Sequence, residues 1–386
     1  MNFIYLSPHF PPNYARFVER LRQNGVNILG LGDVSYESLS ESLKQNLVEY
    51  YRVSDMHRYG ELVRALGYFT HHYGKIDRIE SHNEYWLETE ARLRTDFNLD
   101  GPKLDTIAWI KQKSKMKQVY VQAGIPVARG RIVKNLREAQ NLINEVGYPI
   151  VAKPDTGVGA ADTCKISNDM ELKSFFENIP TVDYIFEEFI TGEIFSFDGL
   201  TDQNGEIVFY TAHFFSRGIM ETVNEDTPIY YYSLRDIPQE ISEIGMKTVH
   251  AFQVRARFFH LEFFKTPEDK IVSLEANIRP PGGFTTDMFN YANDFDIYAE
   301  YANMIAYNQF NASYERPYHC AYVSRKNRYQ YTMQHHQILE NFRHLLVQHD
   351  PISPILRDAL GDYGYIIRSP YLEEIYEAIQ EIQKTR

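Results

Sequence analysis

The fold is decided by two apolar runs and the bend that follows them: FFHLEFF at residues 258–264, IVSLEANIR at 271–279 and PPGG at 280–283. Both runs are rich in aromatic and β-branched residues and a polar turn separates them, so we predict two paired strands. The first strand carries Glu262. On the second, Glu275, Asn277 and Arg279 are two residues apart and therefore project from one face. These polar groups make a poor core, but they suit a divalent metal and a phosphate.

Length and charge limit the possible functions. A chain of 386 residues predicts two or three domains. The formal net charge of −12 argues against a nucleic-acid or anionic-membrane partner, so an anionic ligand would need a local cationic pocket. Cys164 and Cys320 have no metal-binding spacing, which indicates a reducing compartment. The N-terminus does not resemble a signal peptide, and no apolar run approaches about 18 residues. We therefore expect a cytoplasmic protein without a membrane partner.

Strand and helix signals alternate through residues 1–104, which predicts a parallel α/β unit. The turn after its first strand reads SPHFPP at residues 7–12 and lacks the GxGxxG pattern. A dinucleotide-dependent dehydrogenase is therefore the least favoured function for this unit.

A predicted helix at residues 105–123 carries four alternating lysines, namely Lys111, Lys113, Lys115 and Lys117. A solvated helix face is the simpler interpretation of such a pattern. Further on, a predicted strand ends at Lys153 and is followed by the small-residue loop DTGVGAA at 155–161. Backbone N–H groups of such a loop can approach phosphate oxygens, with the lysine neutralising them. A plain flexible hairpin is the alternative.

The run YIFEEFI at residues 184–190 predicts a strand with two consecutive acids, and Glu193 begins the next strand. A corner between strands can contact an adenine edge, and a nearby carboxylate can accept ribose hydroxyls. Surface acids at a hairpin explain the pattern equally well. Residues 216–228 are predicted as a polar loop and residues 291–307 as one helix.

The order of these features resembles the ATP-grasp superfamily, which includes carboxylate–amine ligases, biotin carboxylase and the large subunit of carbamoyl-phosphate synthetase. The resemblance implies a mixed α/β and α+β protein with the ATP-grasp fold. It divides the chain into a Rossmann-like domain at 1–104, an ATP-grasp domain at 105–310 and a C-terminal α+β region at 311–386. Within the ATP-grasp domain, residues 105–190 would include the flap over the nucleotide and residues 191–310 the metal site.

The resemblance also implies roles for individual residues. The predicted nucleotide contacts are Lys113, Lys153, Thr156, Gly157, Gly159, Glu187, Glu188, Phe189, Ile190 and Glu193. Lys115 is an alternative to Lys113, because Gln112 stands where the family usually has Asp. The predicted ligands of Mg²⁺, or of Mn²⁺, are Glu262, Glu275 and Asn277, for one or two ions. The predicted catalytic residues are Lys153, Arg217 and Arg279, and the predicted substrate contacts are His260, Arg279, Gly282 and Gly283.

The implied activity is an ATP- and Mg²⁺-dependent ligase that phosphorylates a small-molecule carboxylate and couples it to an amine, with amino acids or peptides as plausible substrates. Two alternatives remain open. One is an enzyme that phosphorylates bicarbonate or carbamate, as carbamoyl-phosphate synthetase and biotin carboxylase do. The other is an ATP-binding protein without catalysis. The resemblance also suggests a homodimer.

Overall fold

The computed structural model describes residues 1–157, 162–178 and 182–386. Its N-terminal unit is a four-stranded sheet in the order β3-β2-β1-β4, and all its strand pairs are parallel. This arrangement confirms the α/β unit predicted from the sequence. The strands are β1 (Asn2–Leu6), β2 (Asn27–Gly32), β3 (Glu49–Arg52) and β4 (Arg78–Glu80), and the helices are α1 (Ala15–Gln23), α2 (Glu41–Asn46), α3 (Tyr59–Tyr73) and α4 (Leu87–Asp96).

The single helix predicted at residues 105–123 is wrong. The segment forms two helices, α5 (Ala108–Lys111) and α6 (Lys113–Gln122), because Gln112 between them has an extended backbone. Asp155 stabilises the break. Its carbonyl oxygen accepts a hydrogen bond from the Lys113 N–H at 2.8 Å, and its carboxylate accepts one from the Ser114 N–H at 2.7 Å. A carboxylate that satisfies free N–H groups stabilises the beginning of a helix.

A small antiparallel sheet follows, in the order β5-β8-β6-β7. Its strands are β5 (Gly130–Val133), β6 (Ile150–Pro154), β7 (Cys164–Ile166) and β8 (Tyr184–Glu188), and the helices α7 (Leu136–Val146) and α8 (Asp169–Glu177) accompany it. Leu142 and Leu172 from these helices are buried in one cluster with Phe186 of β8. One face of the sheet is thereby covered by helices.

The largest sheet has eight strands in the order β13-β12-β9-β10-β11-β14-β16-β15. The strands are β9 (Glu193–Thr201), β10 (Ile207–Phe215), β11 (Tyr230–Ser233), β12 (Phe258–Lys265), β13 (Ile271–Asn277), β14 (His319–Arg325), β15 (Leu346–Pro351) and β16 (Tyr363–Ser369). Strands from both sides of residue 310 therefore share one sheet. The sequence-based division of the chain into domains stays a prediction.

Two further predictions of secondary structure are wrong. The loop at residues 216–228 contains the helix α9 (Ile219–Glu225). The helix predicted at 291–307 is divided into α11 (Thr285–Asn293) and α12 (Ile297–Tyr307), because Asp294 is left-handed and Asp296 caps α12. The remaining helices are α10 (Gln239–Ala251), α13 (His335–Asn341), α14 (Arg357–Leu360) and α15 (Leu372–Gln383).

The N-terminal unit packs tightly against the large sheet. Phe17 of α1 contacts Phe258 of β12 and Tyr298 of α12, with ring centroids 5.6 Å and 4.6 Å apart. Beside this contact, Glu80 at the end of β4 accepts two hydrogen bonds from Arg257, at 2.7 Å and 2.6 Å. Because the ion pair is buried, breaking it would leave an uncompensated charge. The unit is thereby held in a fixed position beside β12.

Across the three described ranges, no helix combines the length and the hydropathy that crossing a membrane requires.

Candidate functional site

A cleft of about 280 Å³ lies between the small and the large sheet. Strands β6 and β8 supply one wall, and β12 and β13 supply the floor. Helix α9 and residues 356–360 close the far end. The cleft gathers most of the polar residues to which the sequence drew attention.

The predicted pairing of the two carboxylate-bearing strands is confirmed. Strands β12 and β13 are antiparallel, with Glu262 directly opposite Glu275 and His260 directly opposite Asn277. Side chains of directly opposite residues point to the same side of a sheet. All four line the cleft, so strand pairing alone brings two carboxylates and an amide together.

Lys113, at the beginning of α6, reaches the same floor. Its ammonium lies 3.2 Å from Glu275 Oε1. Burial alone would raise the pKa of Glu275, but the Lys113 ammonium lowers it, so the carboxylate is ionised at neutral pH. The Lys115 ammonium instead lies over the Trp109 ring, 5.3 Å from its centroid. Of the two lysines, Lys113 is the one that lines the cleft.

Lys153 projects from β6 into the wall of the cleft, beside Glu187 of β8. Glu187 lies 2.9 Å from the Lys153 ammonium and 2.6 Å from that of Lys117. Burial alone would raise the pKa of Glu187, but the two ammonium groups outweigh it and hold the pKa at about 2. Lys117 also donates to the Ala128 carbonyl. Since Lys113 and Lys117 both make specific contacts, the simpler interpretation of these lysines as a solvated face is wrong for both.

Arg279 follows β13 and is held by the N-terminal unit. Its Nη2 lies 2.7 Å from Glu84 Oε2 and 3.4 Å from Asn277 Oδ1. Both side chains of the ion pair are largely buried, at 16% and 11% exposure. The guanidinium thus has a fixed direction at the point where the floor meets the bend at residues 280–283.

His260 joins the floor to buried groups behind it. Its Nδ1 pairs with Asp198 Oδ1, and its Nε2 lies 3.1 Å from Glu262 Oε1. Asp198 also pairs with His213 at 2.8 Å. Burial alone would lower the pKa of His260, but the carboxylates of Asp198 and Glu262 raise it to about 10. The imidazolium therefore persists at neutral pH and fixes the orientation of Glu262.

The far end of the cleft has a different character. Arg217 and Glu221 are the charged residues that α9 and its preceding loop contribute to the lining, and Gly282 and Gly283 lie nearby. Arg217 donates to Thr227 Oγ1 at 2.6 Å. The rest of this end is mainly apolar, with Phe215, Ile219, Met220, Tyr231, Leu356, Ala359 and Leu360.

The predicted nucleotide contacts divide into two groups. Glu188, Phe189 and Ile190 line the cleft together with Glu187. The Glu188 carboxylate is engaged with Arg129 at 2.6 Å, whereas the Ile190 N–H donates to no acceptor among the described residues. Thr156, Gly157 and Glu193 are absent from the lining of the cleft within the described part of the chain. Gly159 lies outside the described residues, so its contact stays a prediction, as do those of the other three.

The donor set fits a hard divalent cation that completes its coordination with phosphate and water. Within the described ranges, no three or more His, Cys, Asp or Glu side chains form a metal centre by themselves. Glu262, Glu275 and Asn277 provide carboxylate and amide oxygens on one face. Mg²⁺ is commonly bound in this way, through one or two carboxylates and the phosphates of a nucleotide.

Three important contacts were not predicted from the sequence. Glu84 holds Arg279, Asp155 holds the beginning of α6, and Lys117 pairs with Glu187. The alternating lysines drew attention to Lys117, and Asp155 begins the quoted loop, but neither pattern indicates a partner. Glu84 carries no sequence signal at all.

Comparison with known proteins identifies the architecture. The family described as "ATP-grasp domain" matches residues 146–287. These residues form an ATP-grasp domain. Their boundaries enclose the strands that carry Lys153, Glu187, Glu262 and Glu275.

Similar proteins extend the likeness beyond the ATP-grasp domain. The L-arginine-specific L-amino acid ligase of Bacillus subtilis is 25% identical over 247 residues, which are 62% of this chain and 60% of the ligase. The crystal structure of an L-amino acid ligase from Bacillus licheniformis has a TM-score of 0.76 at 13% identity and covers 99% of this chain and 96% of its own. The chain thus has the ATP-grasp fold, and its sequence similarity spans about 60% of the B. subtilis ligase.

A third protein shares the fold and contains ligands. The biotin carboxylase domain of Hydrogenobacter thermophilus 2-oxoglutarate carboxylase crystallised as a dimer with MgADP, ADP and bicarbonate. It has a TM-score of 0.71 at 16% identity, covering 100% of this chain and 90% of its own.

Proposed function

We propose that this protein is an ADP-forming ligase that uses ATP to phosphorylate a small-molecule carboxylate and joins the acyl group to an amine. The observation that carries the proposal is the convergence of Lys113, Lys153, Glu262, Glu275 and Arg279 on one cleft of an ATP-grasp domain. A protein that only bound a nucleotide would not need this complete set of phosphate and metal groups.

The nucleotide would occupy the end of the cleft between β6 and β8. The Ile190 N–H would donate to the adenine edge, with Val151 and Leu274 as apolar walls. The Lys153 and Lys113 ammonium groups would contact the phosphates while they remain paired with Glu187 and Glu275. Charge-assisted hydrogen bonds of this kind are about twice as strong as neutral ones. Thr156, Gly157 and Gly159 would contact the nucleotide from the flap, and Glu193 would contact the ribose.

Glu262, Glu275 and Asn277 would hold Mg²⁺ beside the phosphates of the nucleotide. The ion would supply neutralisation of phosphate charge. His260, which is paired with Asp198 and Glu262, would keep Glu262 in the orientation that binding requires. Phosphoryl transfer depends mainly on positioning and on neutralisation of charge, so no protein nucleophile is needed.

The reaction would proceed in two balanced steps. A carboxylate oxygen of the substrate attacks the γ-phosphorus, the bond to the β-phosphate oxygen breaks, and ADP leaves. The amine then attacks the acyl carbon, the bond to the phosphate oxygen breaks, and phosphate and a proton are released. When the amine adds to the acyl carbon, the acyl oxygen becomes an oxyanion, which Arg279 and the N–H groups of Gly282 and Gly283 would stabilise. Arg217 would contact the substrate from the opposite wall.

Hydroxylamine provides the test, because it traps acyl phosphates as hydroxamates without a second natural substrate. We expect ATP, Mg²⁺ and a suitable amino acid to yield hydroxamate and ADP in equal amounts. ATP binding with no hydroxamate from any carboxylate would contradict the ligase and favour a non-catalytic nucleotide-binding protein.

A second candidate function is phosphorylation of bicarbonate, because a protein with the same fold crystallised with that anion. The apolar far end of the cleft suits a larger organic acid better. Phosphate release that requires bicarbonate alone, with no stimulation by amino acids, would favour the second candidate.

A further inference from the structure

An apolar wall closes the far end of the cleft. Ile219, Leu356 and Leu360 line it from α9 and from the segment around α14. Leu356 is partly buried against a core cluster that includes Leu360, and Ile219 packs against the same cluster. The neighbouring Ile355, by contrast, is 77% exposed and does not line the cleft.

Polar contacts made by two buried side chains, Lys326 and Tyr322, hold this wall in position. The Lys326 side chain is 3% exposed, and its ammonium lies 2.7 Å from Asp226 at the end of α9. The same ammonium donates to the Asp358 carbonyl of α14 at 2.9 Å. In addition, the Tyr322 hydroxyl donates to the Leu360 carbonyl at 2.7 Å. Lys326 therefore connects α9 to α14.

The wall lies beside the proposed reaction centre. A β-carbon placed on Gly283 would be 2.6 Å from Leu360 Cδ1, so Leu360 contacts the bend that follows Arg279. A molecule whose carboxylate reached Arg279 and the metal-binding carboxylates could therefore extend its other end against the wall. Burying an apolar side chain there would favour binding, because it removes apolar surface from water.

Glu221 adds a charge requirement to this end of the cleft. It lines the cleft, and its carboxylate forms no ion pair or hydrogen bond within the part of the chain that the structure describes. A carboxylate oxygen would lie 2.1 Å from a β-carbon on Gly218, so the absence of a side chain at Gly218 makes room for it. A substrate ammonium is the natural partner for such a group.

We propose that the phosphorylated substrate is an α-amino acid with an apolar side chain, such as leucine, isoleucine or methionine. Its side chain lies against Ile219, Leu356 and Leu360, and its ammonium pairs with Glu221. The inference rests on the proposed ligase function and specifies its carboxylate substrate.

The test compares hydroxamate formation from single amino acids with hydroxylamine as the only nucleophile. We expect kcat/KM for leucine to exceed that for lysine and glutamate by at least about tenfold, the scale of discrimination by an apolar pocket. Hydroxamate formed equally well from charged and apolar amino acids would overturn the inference and leave the ligase function intact. No hydroxamate from any carboxylate would instead count against the ligase function itself.

Variants of two neighbouring residues test whether the apolar wall determines the preference for leucine over lysine. Leu356→Glu should lower kcat/KM for leucine at least tenfold and raise it for lysine, whereas Ile355→Glu, the same change one residue earlier on the exposed side, should change neither. The milder Leu356→Ala should reduce the preference for leucine while preserving the fold. An unchanged ratio of leucine to lysine in both Leu356 variants would overturn the assignment of the wall.

A deaminated analogue tests Glu221 separately. Glu221→Gln should weaken the use of leucine roughly tenfold, as expected for a lost charged hydrogen bond. It should leave the use of 4-methylpentanoate, which is leucine without its amino group, almost unchanged. Equal losses for both compounds would contradict pairing with the ammonium.

Discussion

Arg279 Nη2 lies 2.7 Å from Glu84 Oε2, so a residue of the N-terminal unit holds the guanidinium at the floor of the ATP-grasp cleft. The two residues are 195 positions apart in sequence. Glu84 begins the short 3₁₀ turn, Glu84–Trp86, that leads into α4, and Arg279 lies two residues after the end of β13. The packing of the N-terminal unit against β12 thus contributes directly to the geometry of the proposed reaction centre.

Glu84→Ala should therefore reduce catalysis more than binding. Without its partner, Arg279 can leave the position from which it would stabilise the oxyanion, and a displacement of about 1 Å can cost roughly a hundredfold in rate. Steady-state kinetics should show a lower kcat with little change in KM for ATP. Glu88→Ala, which removes an exposed carboxylate of α4, is the control. A normal kcat in Glu84→Ala would contradict the positioning role.

Lys153→Ala should weaken ATP binding by about 2 kcal/mol, because charged hydrogen bonds in a desolvated cleft contribute about 1.5–3 kcal/mol each. Calorimetric titration with a non-hydrolysable ATP analogue measures the effect. Lys173→Ala, which removes an exposed lysine of α8, should bind as the wild type does. An unchanged affinity in Lys153→Ala would argue against contact with phosphate.

Glu187 should make the stability of the protein depend on pH in a defined direction. Its pKa is about 2 in the folded state because Lys153 and Lys117 outweigh the effect of burial, and it is about 4.3 in the unfolded chain. The lowered pKa stabilises the fold by about 3 kcal/mol above pH 4.3, and this contribution is lost as the pH falls towards 2.

Denaturation by urea at several pH values tests this dependence. Glu187→Gln should be less stable than the wild type at pH 7, and the difference should shrink as the pH falls below about 4.3. A difference that stays constant from pH 7 to pH 3.5 would show that Glu187 is not the group responsible.

Glu275→Ala should reduce ATP turnover by roughly a hundredfold or more, since a metal ion that neutralises phosphate charge is worth several kcal/mol. Phosphate release gives the rate, and near-ultraviolet circular dichroism shows whether the fold is preserved. Glu268→Ala removes an exposed carboxylate from the turn of the same hairpin and should have wild-type activity. Undiminished phosphate release in Glu275→Ala would exclude this carboxylate as a metal ligand.

The sequence predicted those parts of the site that depend on local periodicity. Alternation along the second strand was sufficient to place Glu275, Asn277 and Arg279 on one face. The register of β12 and β13 confirms the predicted pairing and sets Glu262 opposite Glu275. The break in the lysine helix was missed because its cause lies 41 residues away, in the hydrogen bond between Ser114 and Asp155.

The far end of the cleft could not be predicted for the same reason. Leu356 and Leu360 reach it because β14 and β16 extend the large sheet and because Lys326 joins α9 to α14. Neither contact has a periodic signal in the sequence. The helix α9 itself is short and lies between a glycine and an aspartate, a pattern that is also typical of a loop.

The most direct test of the acyl-phosphate reaction is the transfer of an oxygen atom. The protein would be incubated with ATP, Mg²⁺, an amine and leucine labelled with ¹⁸O in its carboxylate, and the released phosphate would be analysed by mass spectrometry. Formation and aminolysis of an acyl phosphate predict one ¹⁸O atom in each released phosphate. Phosphate that carries no label, released in step with amide formation, would contradict the reaction proposed for this cleft.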